Sequence, residues 1–211
     1  MKLYVLTPSK TPDINQEVLI ATKLFELGLE TFHVRKPRYS TKELSNYLEK
    51  IPARFHNRVV IHSHHNLALK FNLKGIHLTH THLKKKIRLW INLRLIRFKK
   101  PNITVSTSFR KLASLYEEEN VYHYVFLSPI YDSISGKFQA GFNEHSLKAA
   151  ISKTPFKIVA RGGVDGSKIE NIVEIGFDGL ILNSSLWSSK DPVQFYIDIL
   201  NKFKALNLTA E

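Results

Sequence analysis

The feature that most limits the fold of this chain is an alternation of short strand-like runs with helix-like segments. Residues 59–83 show one repeat: the β-branched run Val59–Ile61, apolar residues at helical spacing over 64–72, and a second apolar run at 76–78. Neighbouring parallel strands require a crossover of this kind, usually a helix. The alternation occurs eight times along the chain, which predicts an α/β fold, a TIM (β/α)8 barrel.

Hydrophobic periodicity and capping residues predict where each strand and helix begins and ends. The predicted strands cover residues 2–7, 31–35, 59–61, 76–78, 103–106, 122–127, 156–160 and 179–182. The predicted helices cover residues 13–27, 40–51, 64–72, 84–100, 109–118, 143–152, 167–175 and the chain from 191. Ser40 and Glu43 form a predicted capping box, and Gly28, Gly75 and Gly176 are predicted to end helices before strands.

The composition fits a single (β/α)8 barrel domain over residues 1–211, of which 43% are hydrophobic. The chain has no cysteine, which rules out disulfides and thiolate zinc sites. The apolar run in MKLYVLTPSK is too short for a signal peptide or a membrane span, so we expect a cytoplasmic protein. A net charge of +13 favours an anionic partner: nucleic acid, a membrane surface or a phosphorylated small molecule.

The basic segment Lys84–Lys100 carries much of this charge and mixes basic with apolar residues. A helix that binds nucleic acid or a membrane surface is one interpretation. An outer barrel helix whose lysines and arginines extend their charges into solvent is the favoured one. No zinc-finger, RNA-recognition or helix-turn-helix motif accompanies the segment. We therefore expect phosphorylated small molecules as partners, and neither a nucleic-acid nor a membrane partner.

The clearest indication of a site lies where the seventh and eighth predicted strands end. Gly162 and Gly163 let backbone N–H groups approach an anion, and Asn183 and Ser184 stand directly before a predicted helix. Loops after strands seven and eight of such barrels often form a phosphate site. Further donors and cations predicted at the same mouth are Arg35, Lys36, Ser106, Ser133, Ser135 and Lys137. Their convergence predicts a site for phosphorylated substrates.

Several short motifs occur in the order in which one known family carries them. They are HVRKP (33–37), HSHHNLAL (62–69), GIHL (75–78), TVST (104–107), SPIY (128–131), SIS (133–135), ARGGV (160–164) and NSSL (183–186). On these motifs the chain resembles the thiamine phosphate synthase and TenI (thiazole tautomerase) family over nearly its whole length.

This resemblance implies the coupling of hydroxymethylpyrimidine diphosphate with thiazole phosphate to thiamine phosphate and pyrophosphate, with Mg²⁺ as cofactor. Pyrophosphate leaves first, and the thiazole nitrogen attacks the pyrimidine cation. The resemblance assigns the pyrophosphate to Arg35 and Ser106, and the further cation to Lys137 or Lys36. It assigns the thiazole phosphate to Gly162 or Gly163 with Ser184, beside Asn183, and the thiazole side to Ser133 and Ser135.

Some positions depart from the family pattern. The two magnesium-binding aspartates of the family correspond to Ser63 and His82, although magnesium prefers oxygen ligands. His33 replaces a glutamine with a substrate-binding role, His62 replaces an asparagine, and Pro37 replaces a lysine. The histidine associated with the tautomerase activity corresponds to Pro129.

The histidines near the predicted strand ends leave several alternatives open. His62 is a candidate catalytic acid or base, since an imidazole titrates near neutrality. A transition metal held by His62, His80 and His82 is a further hypothesis, and His77 is expected to be structural. Besides the coupling reaction, the chain could be a thiazole phosphate isomerase, or a non-catalytic protein that binds thiamine precursors. The oligomeric state stays open, with a homodimer as one alternative.

Overall fold

The structure, a computed structural model that describes residues 1–8, 13–118, 120–132 and 142–210, confirms the barrel. Its strands are β1 Lys2–Leu6, β2 Phe32–Val34, β3 Val59–Ile61, β4 Gly75–Leu78, β5 Thr104–Phe109, β6 Tyr124–Leu127, β7 Ile158–Ala160 and β8 Gly179–Leu182. Each strand pairs in parallel with the next, and β8 returns to β1. Val5 pairs with both Phe32 and Leu182, which closes the barrel.

Helices follow the strands on the outside of the barrel. They are α1 Ile14–Glu26, α2 Thr41–Lys50, α3 Leu67–Lys70, α4 His80–Leu83, α5 Lys86–Lys99, α6 Ser114–Glu117, α7 Glu144–Lys153, α8 Ile169–Ile175, α9 Ser184–Trp187 and α10 Pro192–Ala205. Asp13, Asn143 and Asp191 accept N-terminal backbone N–H groups, and Ser40 with Glu43 forms the predicted capping box. None of the helices within the described residues is long and apolar enough to cross a membrane.

Three local predictions are wrong. The helix predicted over 64–72 covers only Leu67–Lys70, because His64 and Asn72 have positive φ values of 50°. Gly75 does not end a helix: it is the first residue of β4, where a Cβ atom would lie 2.7 Å from Cβ of Thr104. A glycine is needed there because two strands approach closely. The fifth strand does not end at residue 106 but continues to Phe109, so the helix predicted over 109–118 shrinks to Ser114–Glu117. The β-branched and aromatic residues of TVSTSF favour the strand.

The interior of the barrel is closed by aromatic side chains, while the larger core lies between the barrel and its helices. The inner cluster consists of Tyr4, Leu6, Tyr124, Phe126, Val159 and Ile181. His33, His77 and Ser106 are buried in the same interior, towards the carboxyl ends of the strands. The barrel is therefore packed below and polar above, where ligands bind in this fold.

Candidate active site

An open cavity of about 620 Å³ lies at the carboxyl ends of the strands. Its lining residues are Arg35, His62, His77, Thr79, His80, Thr81, Ser108, Arg110, Ser128, Pro129 and Arg161. This is the mouth of the barrel at which the sequence predicts the site. Within the described part of the chain, the lining contains three arginines and no aspartate or glutamate.

The three arginines occupy equivalent positions in the fold. Arg35 directly follows β2, Arg110 directly follows β5 and Arg161 directly follows β7. Burial, together with the charges of Arg35 and Arg110, lowers the pKa of Arg161 to about 10, so its guanidinium stays charged at neutral pH. Like charges held together at a partly buried mouth attract an anion, and guanidinium groups suit the paired oxygens of phosphate.

Three histidines form the floor of this mouth. His33 Nδ1 lies 2.9 Å from His62 Nε2, and His33 Nε2 lies 2.7 Å from the Tyr124 hydroxyl. The rings of His62 and His77 stack with 4.1 Å between their centroids. His77 is also fixed from the next strand, since its Nδ1 lies 2.9 Å from Ser106 Oγ and its Nε2 2.9 Å from Ser108 Oγ. The rings are thus held in place before any ligand binds.

The histidines are neutral at pH 7. Burial is the largest cause of a strongly lowered pKa at His33, His62 and His77, and the charge of Arg161 lowers all three further. Burial, and after it the nearby Tyr4, also raises the pKa of Tyr124, which therefore keeps its proton. With the Tyr124 hydroxyl donating to His33 Nε2, the Nδ1–H of His33 donates to His62 Nε2.

We expect the free energy of unfolding to decrease as the pH falls through about 6.5, the ordinary histidine pKa. Below that pH the unfolded chain binds more protons than the folded chain, whose three buried imidazoles resist protonation. Each contributes a slope of up to about 1.4 kcal/mol per pH unit. Urea unfolding between about pH 8 and pH 5 measures it.

The control for this pH dependence is the double variant His33→Gln/His62→Asn, which carries amides in place of two of the imidazoles. Its stability should depend less steeply on pH than that of the wild-type chain, because only His77 of the three still titrates. Equal slopes for the two proteins would contradict the assignment of the pH dependence to the buried histidines.

The mouth does not fit the magnesium site that the resemblance implies. Ser63 is half-buried after β3, and His82 lines a neighbouring cavity of about 420 Å³ together with His64 and His65. His82 Nδ1 accepts the Thr79 N–H at 3.1 Å and closes the capping box of α4. Neither position supplies the carboxylate oxygens that magnesium prefers.

Histidine side chains are a second possible set of metal ligands. Among the described residues, His33, His62 and His77 are the only group of three or more histidine or acidic side chains close enough to share an ion. Their nitrogens, however, already bond to one another and to Ser106 and Ser108, and the charge of Arg161 lies nearby. The other proposed set of His62, His80 and His82 does not converge within these residues.

Lys36 and Ser106 do not reach the cavity. Lys36 is buried, with its Nζ 2.7 Å from the buried Glu17 carboxylate, and Tyr47 donates to the same carboxylate at 2.6 Å. Ser106 is fully buried in the barrel and bonds to His77. Both side chains therefore stabilise the residues around the site from inside the protein and do not contact a ligand in the cavity. The predicted residues Ser133, Ser135 and Lys137 lie outside the described residues.

The predicted phosphate cup is a tightly packed corner. Gly162 and Gly163 have φ values of 93° and 65°, and a Cβ atom on either would lie 2.8 Å from Cβ of Pro129 or Tyr131 respectively. The approach of the loop after β6 therefore requires both glycines. The Asn183 amide donates to the carbonyls at the end of β1, and Ser184 begins α9. Phosphate binding by these four residues stays a prediction.

Ser108, Arg110, Arg161 and Tyr124 were missed from the sequence as site residues. A β5 that ends at residue 106 hides Ser108 and Arg110, although the run TVSTSF continues the strand pattern. At the end of β7, the motif Gly162-Gly163 predicts a phosphate site, and Arg161 directly before it was not predicted to take part. The available signal was an arginine directly after each of three strands.

The fold and the mouth together define the class: a parallel (β/α)8 barrel whose mouth, within the described residues, is lined by three arginines and no acidic residue. The sequence matches the family described as Thiamine monophosphate synthase over residues 3–186. The chain belongs to this family.

Relatives agree with the family assignment. The thiamine-phosphate synthase of Methanobrevibacter smithii is 20% identical over 210 residues, 98% of this chain and 97% of that protein. That of Leptospira biflexa is 25% identical over 165 residues, 76% of each protein. The crystal structure of a thiamine phosphate pyrophosphorylase from Bacteroides thetaiotaomicron is 27% identical and superposes with a TM-score of 0.74, covering 99% of this chain and 100% of that one.

Proposed function

We propose that this barrel couples hydroxymethylpyrimidine diphosphate with thiazole phosphate, and that arginines replace the family's magnesium in stabilising the pyrophosphate that leaves. Family membership supports the reaction. The observation that carries the arginine assignment is the convergence of Arg35, Arg110 and Arg161 on a mouth lined by no acidic residue within the described part of the chain. A cytoplasmic location belongs to the same proposal.

Arginines stabilise the charge that develops in the first step. The C–O bond between the pyrimidine methylene and the diphosphate breaks, and its electron pair leaves on pyrophosphate. The guanidinium groups are already in place, and the pKa of Arg161 is lowered first by burial and then by repulsion from Arg35 and Arg110. The leaving pyrophosphate carries more negative charge in the transition state than in the bound substrate, so it offsets the repulsion between the arginines more strongly there. Stronger stabilisation of the transition state than of the substrate is the condition for electrostatic catalysis. The thiazole nitrogen then forms the new C–N bond to the pyrimidine methylene carbon.

The histidines orient the pyrimidine in this proposal. His33 and His62 stand where the family carries a glutamine and an asparagine, and an imidazole, like an amide, offers one donor and one acceptor when it is neutral. Burial keeps both neutral, so they do not repel the pyrimidine cation as charged groups would. His62 faces the cavity, whereas His33 fixes the His62 ring from behind.

A test of the coupling reaction compares magnesium with a chelator. Purified protein given both precursors should form thiamine phosphate in EDTA at a rate within about threefold of the rate in Mg²⁺, because no aspartate positions the ion. The matched variant Ser63→Asp/His82→Asp restores the family's carboxylates, and its rate should rise with magnesium. No product from the wild-type chain under either condition, with product from the variant in magnesium, would contradict the proposal.

The second candidate function is isomerisation of the thiazole phosphate, with His62 moving the proton. The specific observation is that His62 is neutral, lines the cavity and is hydrogen-bonded through His33 to Tyr124. When the chain of hydrogen bonds runs the other way, His62 Nε2–H donates to His33 Nδ1 and His33 Nε2–H donates to Tyr124, which leaves His62 Nδ1 without a proton as the base. Tautomer conversion followed by NMR tests it. Equal rates for the wild-type chain and a His62→Ala variant would exclude His62 as the base.

A further inference from the structure

Helix α5 is apolar on two opposite faces. Leu89, Leu93 and Ile96 face the barrel and pack against its core, as an outer barrel helix should. The other side, here called the outer face of α5, exposes large apolar side chains at helical spacing: Ile87 (79% exposed), Trp90 (59%), Ile91 (46%), Leu95 (56%) and Phe98 (86%). A contiguous apolar strip of this kind marks a surface that binds something.

The charge of the segment indicates what binds there. Residues 84–100 contain eight lysines and arginines and no acidic residue. The Arg94 guanidinium lies 5.2 Å from the centre of the Trp90 ring on the outer face, and Arg97 and Lys99 lie to either side of that face along the helix. An apolar strip bordered by cations is the pattern of a helix that lies in the interface of an anionic lipid bilayer.

We infer that the outer face of α5 docks this protein on an anionic membrane surface. The strip from Ile87 to Phe98 extends about 16 Å along the helix, so its side chains could enter the bilayer interface together. The bordering cations then contact lipid phosphates. The sequence alone predicts no membrane partner, because only the structure separates the buried stripe of α5 from the exposed one.

Other partners fit the outer face less well. A second copy of the chain would bring two basic segments together, with sixteen positive charges and no acidic residue between them. Glu117 and Glu118 share a groove with Trp90, so they border one edge of the outer face, but two acidic residues are too few to balance the charge of the segment. Nucleic acid would meet isoleucine, leucine and phenylalanine where binding requires cations and hydrogen-bond donors.

Sedimentation of the full chain with vesicles tests the inference. About tenfold more protein should sediment with vesicles containing roughly one third phosphatidylglycerol than with pure phosphatidylcholine. The double variant Trp90→Ala/Phe98→Ala should lose about tenfold of this binding. Both side chains are exposed, so the fold should persist, which thermal unfolding checks. The matched control Leu19→Ala/Val173→Ala also removes exposed apolar groups, but on α1 and α8, and should bind like the wild-type chain.

Four results would overturn the inference. The first is equal sedimentation with the two kinds of vesicle. The second is equal binding by the wild-type chain and the Trp90→Ala/Phe98→Ala variant. The third is a dimer in sedimentation equilibrium that the same variant converts to a monomer, because the outer face would then bind a second copy. Salt-sensitive binding to an RNA oligonucleotide with no vesicle binding would likewise assign the cations to nucleic acid.

Discussion

Arg161→Met is expected to weaken pyrophosphate binding by about 10- to 100-fold, the loss of one strong charge-assisted contact, without destabilising the fold. Arg161 is half-buried, and burial and its neighbours Arg35 and Arg110 lower its pKa to about 10. The folded protein therefore holds this charge at a cost that only an anion offsets. Methionine fills similar space without the charge, so the variant should be as stable as the wild-type chain or more stable.

The two readouts of this variant are calorimetric titration with inorganic pyrophosphate and urea unfolding. Arg54→Met is the matched control, since Arg54 is an exposed arginine before β3, at the opposite end of the barrel. The control should bind pyrophosphate like the wild-type chain. Unchanged affinity in Arg161→Met would remove Arg161 from the anion site. A large loss of stability would contradict the view that its charge is held at a cost.

Glu17→Gln is expected to lower the free energy of unfolding by about 3–5 kcal/mol, because it leaves the Lys36 ammonium in the interior without its carboxylate. The Lys36 and Glu17 side chains are 5% and 2% exposed, and their Nζ and Oε2 atoms lie 2.7 Å apart. Tyr47 donates to the other carboxylate oxygen, so the ion pair links α1, the end of β2 and α2. Removing one partner of such a pair costs more than replacing both.

Urea unfolding of two variants separates this structural role from ligand binding. The double variant Glu17→Gln/Lys36→Met should recover most of the lost stability, because both charges of this ion pair are then removed together. It should also bind pyrophosphate within about threefold of the wild-type affinity, less than the loss of one charge-assisted contact. A loss as large as that of Arg161→Met would instead place Lys36 at the ligand, as the sequence motif suggests.

The fold follows from the sequence because each barrel repeat carries its own signals. The capping residues Asp13, Ser40 and Asn143 begin the helices where predicted, and the β-branched runs give the strands. Two of the local predictions fail at positions where the pairing of strands, rather than the local sequence, determines the structure. Gly75 is indistinguishable from a helix-ending glycine until Thr104 of the next strand packs against it. The length of β5 likewise depends on its pairing with β4 and β6.

The sequence predicts where the candidate site lies, but not which side chains contact one another there. Its position at the strand ends and its positive charge follow from the motifs, as does the loss of both metal carboxylates at Ser63 and His82. The contacts between the side chains of the site do not follow from the motifs. A histidine in a strand gives no sign that its ring will stack on another, as His77 does on His62, and a lysine beside an arginine at a strand end gives no sign that it will turn inward to Glu17. Such choices depend on side chains that are distant in sequence.

The most direct measurement is a calorimetric titration of the wild-type chain with pyrophosphate, in EDTA and again in excess magnesium. If arginines alone form the anion site, pyrophosphate binds in EDTA with an affinity within about threefold of that in magnesium, and Arg161→Met weakens both equally. Binding that appears only when magnesium is added would contradict an anion site formed by arginines without a metal.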